Sequence, residues 1–297
     1  MMIITFGSIN VDFMFQLNEM PRAGQTLLAN DFHTGAGGKG GNQALAAARD
    51  GAEVLMYGAV GTDALAQIGL SNLEQVANIT RIERLTEPTG CASVYTDSHG
   101  NNMIAVASGA NLHASSDVIE DTDLQSANIV LMQMENKPEE VEKLIRRTHA
   151  SKALAILNLA PAYRLPEDVL SLCDLIVVNE DEAEALATWV NCPPDAESLS
   201  KCLNTGILRT LGGEGAEAFM DGQFIQMKAV AVDVKDTTGA GDCFVGVLAS
   251  ALDKGMTLGQ AMERASVAAA IACTKTGSQQ TIPMAKETDQ FIASHRV

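Results

Sequence analysis

Short apolar runs alternate with longer amphipathic stretches along most of this chain. The apolar runs are rich in Val, Ile and Leu, which is typical of buried parallel strands. Predicted strands occupy 3–7, 54–59, 129–133, 154–158, 175–178 and 207–211, and predicted helices occupy 41–50, 138–150, 181–190 and 241–252. This alternation predicts an α/β fold in which helices flank a central, mostly parallel sheet.

Two β-rich segments, 11–34 and 91–108, interrupt the alternation. Each contains a turn signal, Pro-Arg-Ala-Gly at 21–24 and Asp-Ser-His-Gly-Asn at 97–101. We therefore predict that they leave the main sheet as hairpin-like excursions and form a small β-sheet that covers a site as a lid. No repeat or linker divides the chain, so we expect a single domain over 1–297.

Composition excludes several functional classes. Hydrophobic residues make up 46% of the 297 residues and charged residues 19%, which is enough to bury a core. No apolar run approaches the ~20 residues of a membrane span. The N-terminus has the pattern of a strand rather than of a signal peptide, and we expect a cytoplasmic protein without a membrane partner. The net charge of −17 disfavours nucleic acid, so an anionic ligand needs a local binding device.

The six cysteines are scattered along the chain without a CxxC pair or a Cys/His cluster. This pattern favours free thiols in a reducing compartment over a disulfide framework or a structural zinc site.

The segment Asp-Thr-Thr-Gly-Ala-Gly-Asp at 236–242 directly precedes a predicted helix. Gly239 and Gly241 allow a tight turn that directs successive amide groups into one concavity, and the helix dipole favours an anion there. Asp242 would repel a resting phosphate, so its presence suggests that it takes a proton from an attacking hydroxyl. The simpler interpretation is an acidic residue in a first helical turn, which is common and stabilising.

A second glycine-rich stretch, Gly-Ala-Gly-Gly-Lys-Gly-Gly-Asn-Gln-Ala, occupies 35–44. It matches a dinucleotide-binding pattern, but it follows a β excursion and has no acidic residue ~20 positions later. It is not a phosphate-binding P-loop either, because Lys39 precedes Gly40 rather than Ser or Thr. The glycines instead predict a close approach of the backbone to a polyhydroxylated ligand, to which Lys39 and Asn42 donate.

Asn10 and Asp12 follow the first predicted strand, where an open α/β sheet places its ligands. A carboxylate beside an amide can bind vicinal hydroxyls. A turn built on two Asx residues is the alternative.

The segments 236–242 and 35–44 resemble the C-terminal and N-terminal signatures of the ribokinase-like sugar kinases, in the same order, and the resemblance extends over nearly the whole chain. It implies that Asp242 is the catalytic base and that the amides of Gly239, Ala240 and Gly241 hold the transferring phosphoryl group. The sugar-binding residues that it implies are Asn10, Asp12, Gly38, Lys39, Asn42, Glu135 and Asp242.

The resemblance also implies sites for ATP and two cations. The ATP-binding residues are Asn179, Glu182, Thr210, Gly212, Gly213, Gly215, Gly241 and Ser266, with Asn179 and Glu182 organising Mg²⁺ largely through water. A serine on a helix is usually only solvated, so the alternative for Ser266 is an exposed residue without a role in binding. The ligands of a structural K⁺ are Asp236, Thr238, Ala272, Lys275, Gly277 and Thr281, mostly through carbonyl oxygens.

The implied reaction is ATP-dependent phosphorylation of a primary sugar hydroxyl, with D-ribose converted to ribose 5-phosphate. The implied assembly is a homodimer formed through the β lid. A kinase for fructose, a nucleoside or another sugar is the first alternative, and a non-catalytic sugar or nucleotide sensor is the second. The sequence departs from the family at Gly41, where alanine is more usual, and in a short segment at 64–85.

Overall fold

The computed structural model describes residues 2–99 and 101–295, without the side chain of His295. Met1, Gly100, Arg296 and Val297 therefore lie outside the described residues. The strands are β1 (Met2–Phe6), β2 (Asn10–Gln16), β3 (Asp31–Gly37), β4 (Glu53–Gly61), β5 (Asn78–Leu85), β6 (Gly90–Thr96), β7 (Asn102–Ala107), β8 (Ile129–Met132), β9 (Leu154–Asn158), β10 (Leu175–Val178), β11 (Gly206–Thr210), β12 (Ala216–Met220) and β13 (Gln223–Met227). The helices are α1 (Lys39–Arg49), α2 (Leu65–Leu70), α3 (Asp121–Ser126), α4 (Pro138–His149), α5 (Glu167–Leu170), α6 (Glu180–Val190), α7 (Ala196–Leu203), α8 (Ala240–Asp253), α9 (Leu258–Cys273) and α10 (Ala285–His295).

Nine strands form the central sheet in the order β13-β12-β11-β10-β9-β8-β1-β4-β5. The strands from β11 to β5 in this order pair in parallel, and only β12 and β13 are antiparallel. Since parallel strands end at the same edge, the segments that follow β1, β8, β9, β10 and β11 gather along one side of the sheet. The predicted α/β fold with a mostly parallel sheet is confirmed.

Both faces of this sheet are covered by helices. Successive strand residues point to opposite faces, so Met56 packs in a core with α1, α8 and α9, while its neighbour Tyr57 packs in a second core with α3, α4, α6 and α7. The strands are therefore apolar on both faces, which explains why they form continuous hydrophobic runs in the sequence.

The second sheet has four strands in the order β3-β2-β6-β7. The strand β2 pairs antiparallel with β3 and parallel with β6, and β6 and β7 form a hairpin. The predicted small sheet is thus confirmed, with strands inside or beside the predicted segments 11–34 and 91–108.

Most predicted boundaries lie within two residues of the observed ones, and 154–158 and 175–178 coincide with β9 and β10. The strands β5, β12 and β13 were not predicted. The last two form the antiparallel edge, where the burial pattern of β13 is largely exposed and gives no continuous apolar run. The helix predicted at 41–50 begins earlier, at Lys39, so that Gly40 and Gly41 belong to its first turn.

Candidate active site

The carboxylate of Asp242 lies buried in the first turn of α8, facing the N-terminal half of α1. Its Oδ2 accepts a hydrogen bond from Nδ2 of Asn42 at 2.9 Å, and its Oδ1 accepts one from Nε2 of Gln43 at 2.9 Å. Two residues separated from Asp242 by about 200 positions thus converge on it, and the two glycine-rich segments meet at one place.

Free backbone amides lie next to this carboxylate. Gly239 caps α8 in a left-handed conformation, with φ of 74°, which glycine adopts without strain. Among the described residues no acceptor bonds to the backbone N–H groups of Gly241 and Asp242, whereas those of Ala240 and Cys243 bond to Thr237 and Gly239. Unpaired amides at a helix N-terminus favour an anion, as predicted for this turn.

The glycines at 38 and 40 have a cause that the sequence interpretation did not give. A Cβ atom at Gly40 would lie 2.5 Å from the backbone carbon of Gly7 and the nitrogen of Ser8. At Gly38, which has φ of 87°, it would lie 2.7 Å from the nitrogen of Asn10. The glycines let α1 start against the end of β1, so the predicted approach of backbone to ligand is not needed to explain them.

Glu135, in the segment after β8, closes the other side of this junction. Its Oε2 accepts hydrogen bonds from Oγ of Ser8 and from the backbone N–H of Lys39 at 3.1 Å. The hydroxyl of Ser8 in turn accepts a bond from the backbone of Gly40 at 3.3 Å. One oxygen of Glu135 is therefore fixed by the protein, and the residue lies beside Lys39.

Asn10 is buried where β2 begins, and its side chain is held by a residue that was not predicted. Its Oδ1 accepts a hydrogen bond from Nδ2 of Asn111 at 2.7 Å. Asn111 also bonds the backbone N–H and carbonyl groups of Ile9, at 2.9 and 3.2 Å. Because its carbonyl oxygen is engaged, Asn10 has its amide N–H groups to offer to a ligand.

Three carboxylates act on one ammonium group in this region. Asp242, followed by Glu135 and Glu182, raises the pKa of Lys39. Burial is the main cause that raises the pKa of Asp12 to about 7, and the charges of Glu135 and Asp242 add to it. Burial also raises the pKa of Glu182, partly offset by the hydrogen bond from the backbone of Asn179 and by the charge of Lys39. These couplings bring Asp12, Lys39, Glu135 and Asp242 into one neighbourhood.

A mostly apolar cavity of about 280 Å³ adjoins the turn at 239–241. The predicted nucleotide-binding residues Thr210, Gly212, Gly213, Gly215, Gly241 and Ser266 all line it. The rest of the lining is mainly small or aliphatic and comes from 229–234, α8 and α9. The hydroxyl of Ser266 donates to the sulfur of Met227 at 3.3 Å, so it faces the protein in this structure.

Asn179 and Glu182 form a capping box at the start of α6. Oδ1 of Asn179 accepts from the backbone of Glu182 at 2.8 Å, and Oε2 of Glu182 accepts from the backbone of Asn179 at 2.9 Å. This reciprocal cap explains both residues structurally. It leaves Oε1 of Glu182 for other contacts, and the charge of this residue acts on Lys39.

The predicted cation loop is organised around Asp236. Oδ1 of Asp236 accepts from the backbone and hydroxyl of Thr238 at 2.9 and 2.7 Å, and Oδ2 accepts from the backbone of Gly277 at 2.9 Å. Ala272 accepts from the backbone of Lys275 at 3.1 Å. The turn preceding α8 is thereby tied to the segment that follows α9.

Thr281 is buried in the same segment, and its hydroxyl donates to the carbonyl of Ser278 at 2.7 Å. Within residues 2–99 and 101–295, no group of three or more His, Cys, Asp or Glu side chains forms a metal-binding cluster.

Sequence interpretation missed three residues that hold these segments together: Gln43, Asn111 and Arg49. Nη1 of Arg49, at the end of α1, donates to the carbonyls of Gln279 and Ile282 at 2.7 and 2.8 Å. The sequence held a signal for Gln43 and Arg49 alone. Both are polar residues on a helix, and a polar side chain on the buried face of a helix needs a hydrogen-bond partner.

The model of the pfkB family of carbohydrate kinases matches residues 1–285. The chain belongs to this family. It is 34% identical to the ribokinase of Haemophilus influenzae and 34% identical to the deoxyribokinase of Salmonella typhi, with 98% of each chain covered in both cases. A solved structure of Arabidopsis thaliana ribokinase complexed with ribose and ATP superposes with a TM-score of 0.87 at 28% identity, covering 98% of both chains.

These findings confirm the predicted family and the activity class, a ribokinase-like sugar kinase. The use of ATP agrees with the ATP that the Arabidopsis structure contains. In the described part of the kinase, no helix is long and apolar enough to span a membrane.

Proposed function

We propose that this kinase transfers the γ-phosphoryl group of ATP to the primary hydroxyl of D-ribose, giving ribose 5-phosphate. The observation that carries the proposal is the meeting of the buried side chains of Asp242 and Asn42 with free amides at the start of α8. Similarity to ribokinases, one of them solved with ribose and ATP, supports ribose as the sugar.

In the proposed mechanism the sugar lies between Asn10, Asp12, Lys39, Asn42 and Glu135, beside Gly38. Oδ1 of Asn42 is buried without a hydrogen-bond partner among the described residues, so this oxygen can accept a hydrogen bond from a sugar hydroxyl. Asp242 takes the proton of the primary hydroxyl as its oxygen attacks phosphorus. The amides of Gly239, Gly241 and Asp242 then stabilise the charge on the phosphoryl oxygens. The amide of Ala240 is bonded to the carbonyl of Thr237 and would join them only if that bond opened.

The cavity lined by 210–215 and Ser266 is the proposed seat of the nucleoside, and its inner end at Gly241 adjoins Asp242. Mg²⁺, bound with ATP, would neutralise phosphate charge. Since the capping box engages Asn179 and one oxygen of Glu182, these residues fit a role through water rather than direct ligation. The β3-β2-β6-β7 sheet, from which Asp12 extends, is the proposed lid that excludes water.

For a monovalent cation such as K⁺ we propose the predicted loop, with Asp236, Thr238, Ala272, Lys275, Gly277 and Thr281. One carboxylate among backbone carbonyls suits a large, weakly hydrated ion. The segment that would bind the cation packs against Gly239, since a Cβ atom there would lie 3.3 Å from Oγ of Ser278. A bound cation that orders this segment would therefore also support the turn that carries the amides.

Replacing K⁺ with tetramethylammonium at constant ionic strength is expected to lower kcat by about 10-fold, because the amide turn loses its support. The rate of ADP formation is measured as a function of sugar and of ATP concentration in both salts. Equal turnover in the two salts would remove the cation from the proposal and leave the base assignment unaffected.

We also propose that two copies associate through this lid. On the face opposite Asp12, Phe15 packs between Phe32 and Tyr95, with ring centroids 4.9 and 5.2 Å from its own. Phe32 and Met103 on this face are exposed, and an apolar patch of this kind favours a partner. A monomer in sedimentation at assay concentration would contradict this assembly.

The substrate is tested by measuring kcat/KM with ribose, 2-deoxyribose, fructose and adenosine in one coupled assay of ADP formation. Ribose is expected to give the highest value. A higher value with 2-deoxyribose would transfer the assignment to the deoxyribokinase relatives. Binding of ribose and ATP without any ADP would instead favour a sensor.

The charge of Asp12 predicts a pH dependence. Its folded pKa is about 7 and its unfolded pKa about 4, so the folded protein binds the proton more tightly. This group therefore stabilises the fold below about pH 4, and that contribution is lost as pH rises through about 7. Because the charged form accepts hydroxyl hydrogens, KM for the sugar should fall between pH 6 and pH 8.

Asp12→Asn removes this titration. We expect the variant to show a flatter pH dependence of sugar KM and of the free energy of unfolding than the parent protein. Both are compared at pH 6, 7 and 8, the second by urea denaturation. Identical pH dependence in the two proteins would contradict the role given to Asp12.

A further inference from the structure

Gln43 lies on the buried face of α1 and has no role in the proposed transfer of the phosphoryl group. Its side chain is fully buried. Its Nε2 donates to Oδ1 of Asp242 and to Oδ1 of Asn158, both at 2.9 Å, and its Oε1 accepts from Nε2 of Gln133 at 2.7 Å. Both amide hydrogens are therefore committed, one of them to the proposed base.

The central sheet fixes which way this amide points. Gln133 and Asn158 stand at the ends of the neighbouring strands β8 and β9, and Nδ2 of Asn158 donates to the carbonyl of Val177 at 3.1 Å. Reversing the Gln43 amide would set its oxygen against the oxygens of Asp242 and Asn158. The hydrogen-bond network thus allows a single orientation.

The distance between α1 and α8 is set by Gly246, one turn further along α8 than Asp242. A Cβ atom at Gly246 would lie only 2.3 Å from the backbone oxygen of Gln43. This close packing brings the Gln43 side chain within reach of Asp242, while Asn42 bonds the second oxygen of the same carboxylate. Each carboxylate oxygen consequently has one amide donor.

Donors are needed because the charges around Asp242 are mostly of its own sign. The charged groups that interact with it electrostatically are Lys39 on α1, Asp12 on β2 and Glu182 on α6, and the buried thiol beside it, Cys243, is uncharged. Only Lys39 among them is cationic. Neutral donors at both oxygens hold the charged carboxylate without neutralising it.

From this geometry we infer that Gln43 is a positioning residue. With Gln133 and Asn158 behind it, it holds Asp242 in the orientation in which the carboxylate accepts the proton of the sugar hydroxyl. This inference rests on the proposed role of Asp242 as the base.

Gln43→Met keeps the size of the side chain and removes both donated bonds. We expect kcat to fall by about 10- to 100-fold, because the base is misplaced. The KM for ribose should stay within about twofold. The acidic limb of the kcat profile should move to higher pH by about one unit, since the charged carboxylate loses a donor. Ser200→Ala, which removes a buried hydrogen bond of 2.6 Å on α7, should change none of these values.

A purely structural role for Gln43 predicts a different result: weaker binding of ATP with an unmoved acidic limb. Lower thermal stability is expected in either case, because Gln43→Met loses three buried hydrogen bonds. Weaker binding of ATP with an unmoved limb, or wild-type kcat in Gln43→Met, would overturn the inference. Should Gln43→Met not fold, Gln43→Glu decides, because two adjacent carboxylates share a proton and the acidic limb must again move upward. An unmoved limb in Gln43→Glu overturns it equally.

Asp242→Asn is measured in parallel to separate two failures. If Asp242→Asn retains turnover, the base assignment itself is wrong. If Asp242→Asn is inactive while both Gln43 variants behave like the parent protein, only the positioning role is wrong.

Discussion

Asp242→Asn is expected to lower kcat by about 10²- to 10⁴-fold, the usual contribution of a positioned general base. Asparagine keeps the shape of the side chain but cannot accept the hydroxyl proton, so sugar binding should change little. Single-turnover ADP formation measures the chemical step, and calorimetry with ribose measures the binding. Turnover within about threefold of the parent protein would exclude Asp242 as the base.

Asp221→Asn provides the matched control. Asp221 is exposed after β12 and has φ of 53°, a left-handed conformation that Asn adopts as readily as Asp. The same chemical change at this position removes a charge from the acidic surface without approaching the site. Its kcat should equal that of the parent protein, and a comparable loss would assign the effect to net charge.

Gly40→Ala is expected to damage the fold and the active site of the kinase together. The added methyl carbon would lie 2.5 Å from two backbone atoms at the end of β1, which cannot move as a side-chain tip can. The start of α1 must shift away, and Lys39, Asn42 and Gln43 shift with it. We expect a loss of about 1–3 kcal/mol in the free energy of unfolding and a fall in kcat/KM of about 100-fold.

Gly41→Ala is the control for this prediction, one residue further along the same helix. The nearest atom to a methyl group there is the end of the Gln279 side chain, at 3.3 Å, followed by Leu73 at 3.7 Å. A small adjustment of Gln279 is enough, and alanine favours the helix. Urea denaturation and steady-state kinetics should show near-parental values, and equal damage at both positions would refute the steric argument.

The contrast between Gly40 and Gly41 illustrates why the glycine-rich stretch was understood only in part. Its pattern indicated that backbone must approach something closely. Whether that partner is a ligand or another strand depends on where the end of β1 lies, and no local pattern contains that information. At Gly41 the sequence differs from the family, where alanine is more usual. The space beside Gly41 is nearly large enough for the methyl group of alanine.

The sequence by itself determined the α/β class, the small second sheet and the two segments at 35–44 and 236–242, because burial periodicity and turn chemistry are local properties. The contact between Asp242 and the neighbouring pair Asn42 and Gln43 was decided by the tertiary structure. It requires α1 to pack against α8 at Gly246 and strands distant in sequence to end side by side. Such contacts arise from the fit of whole elements, to which residues far apart in the chain contribute together.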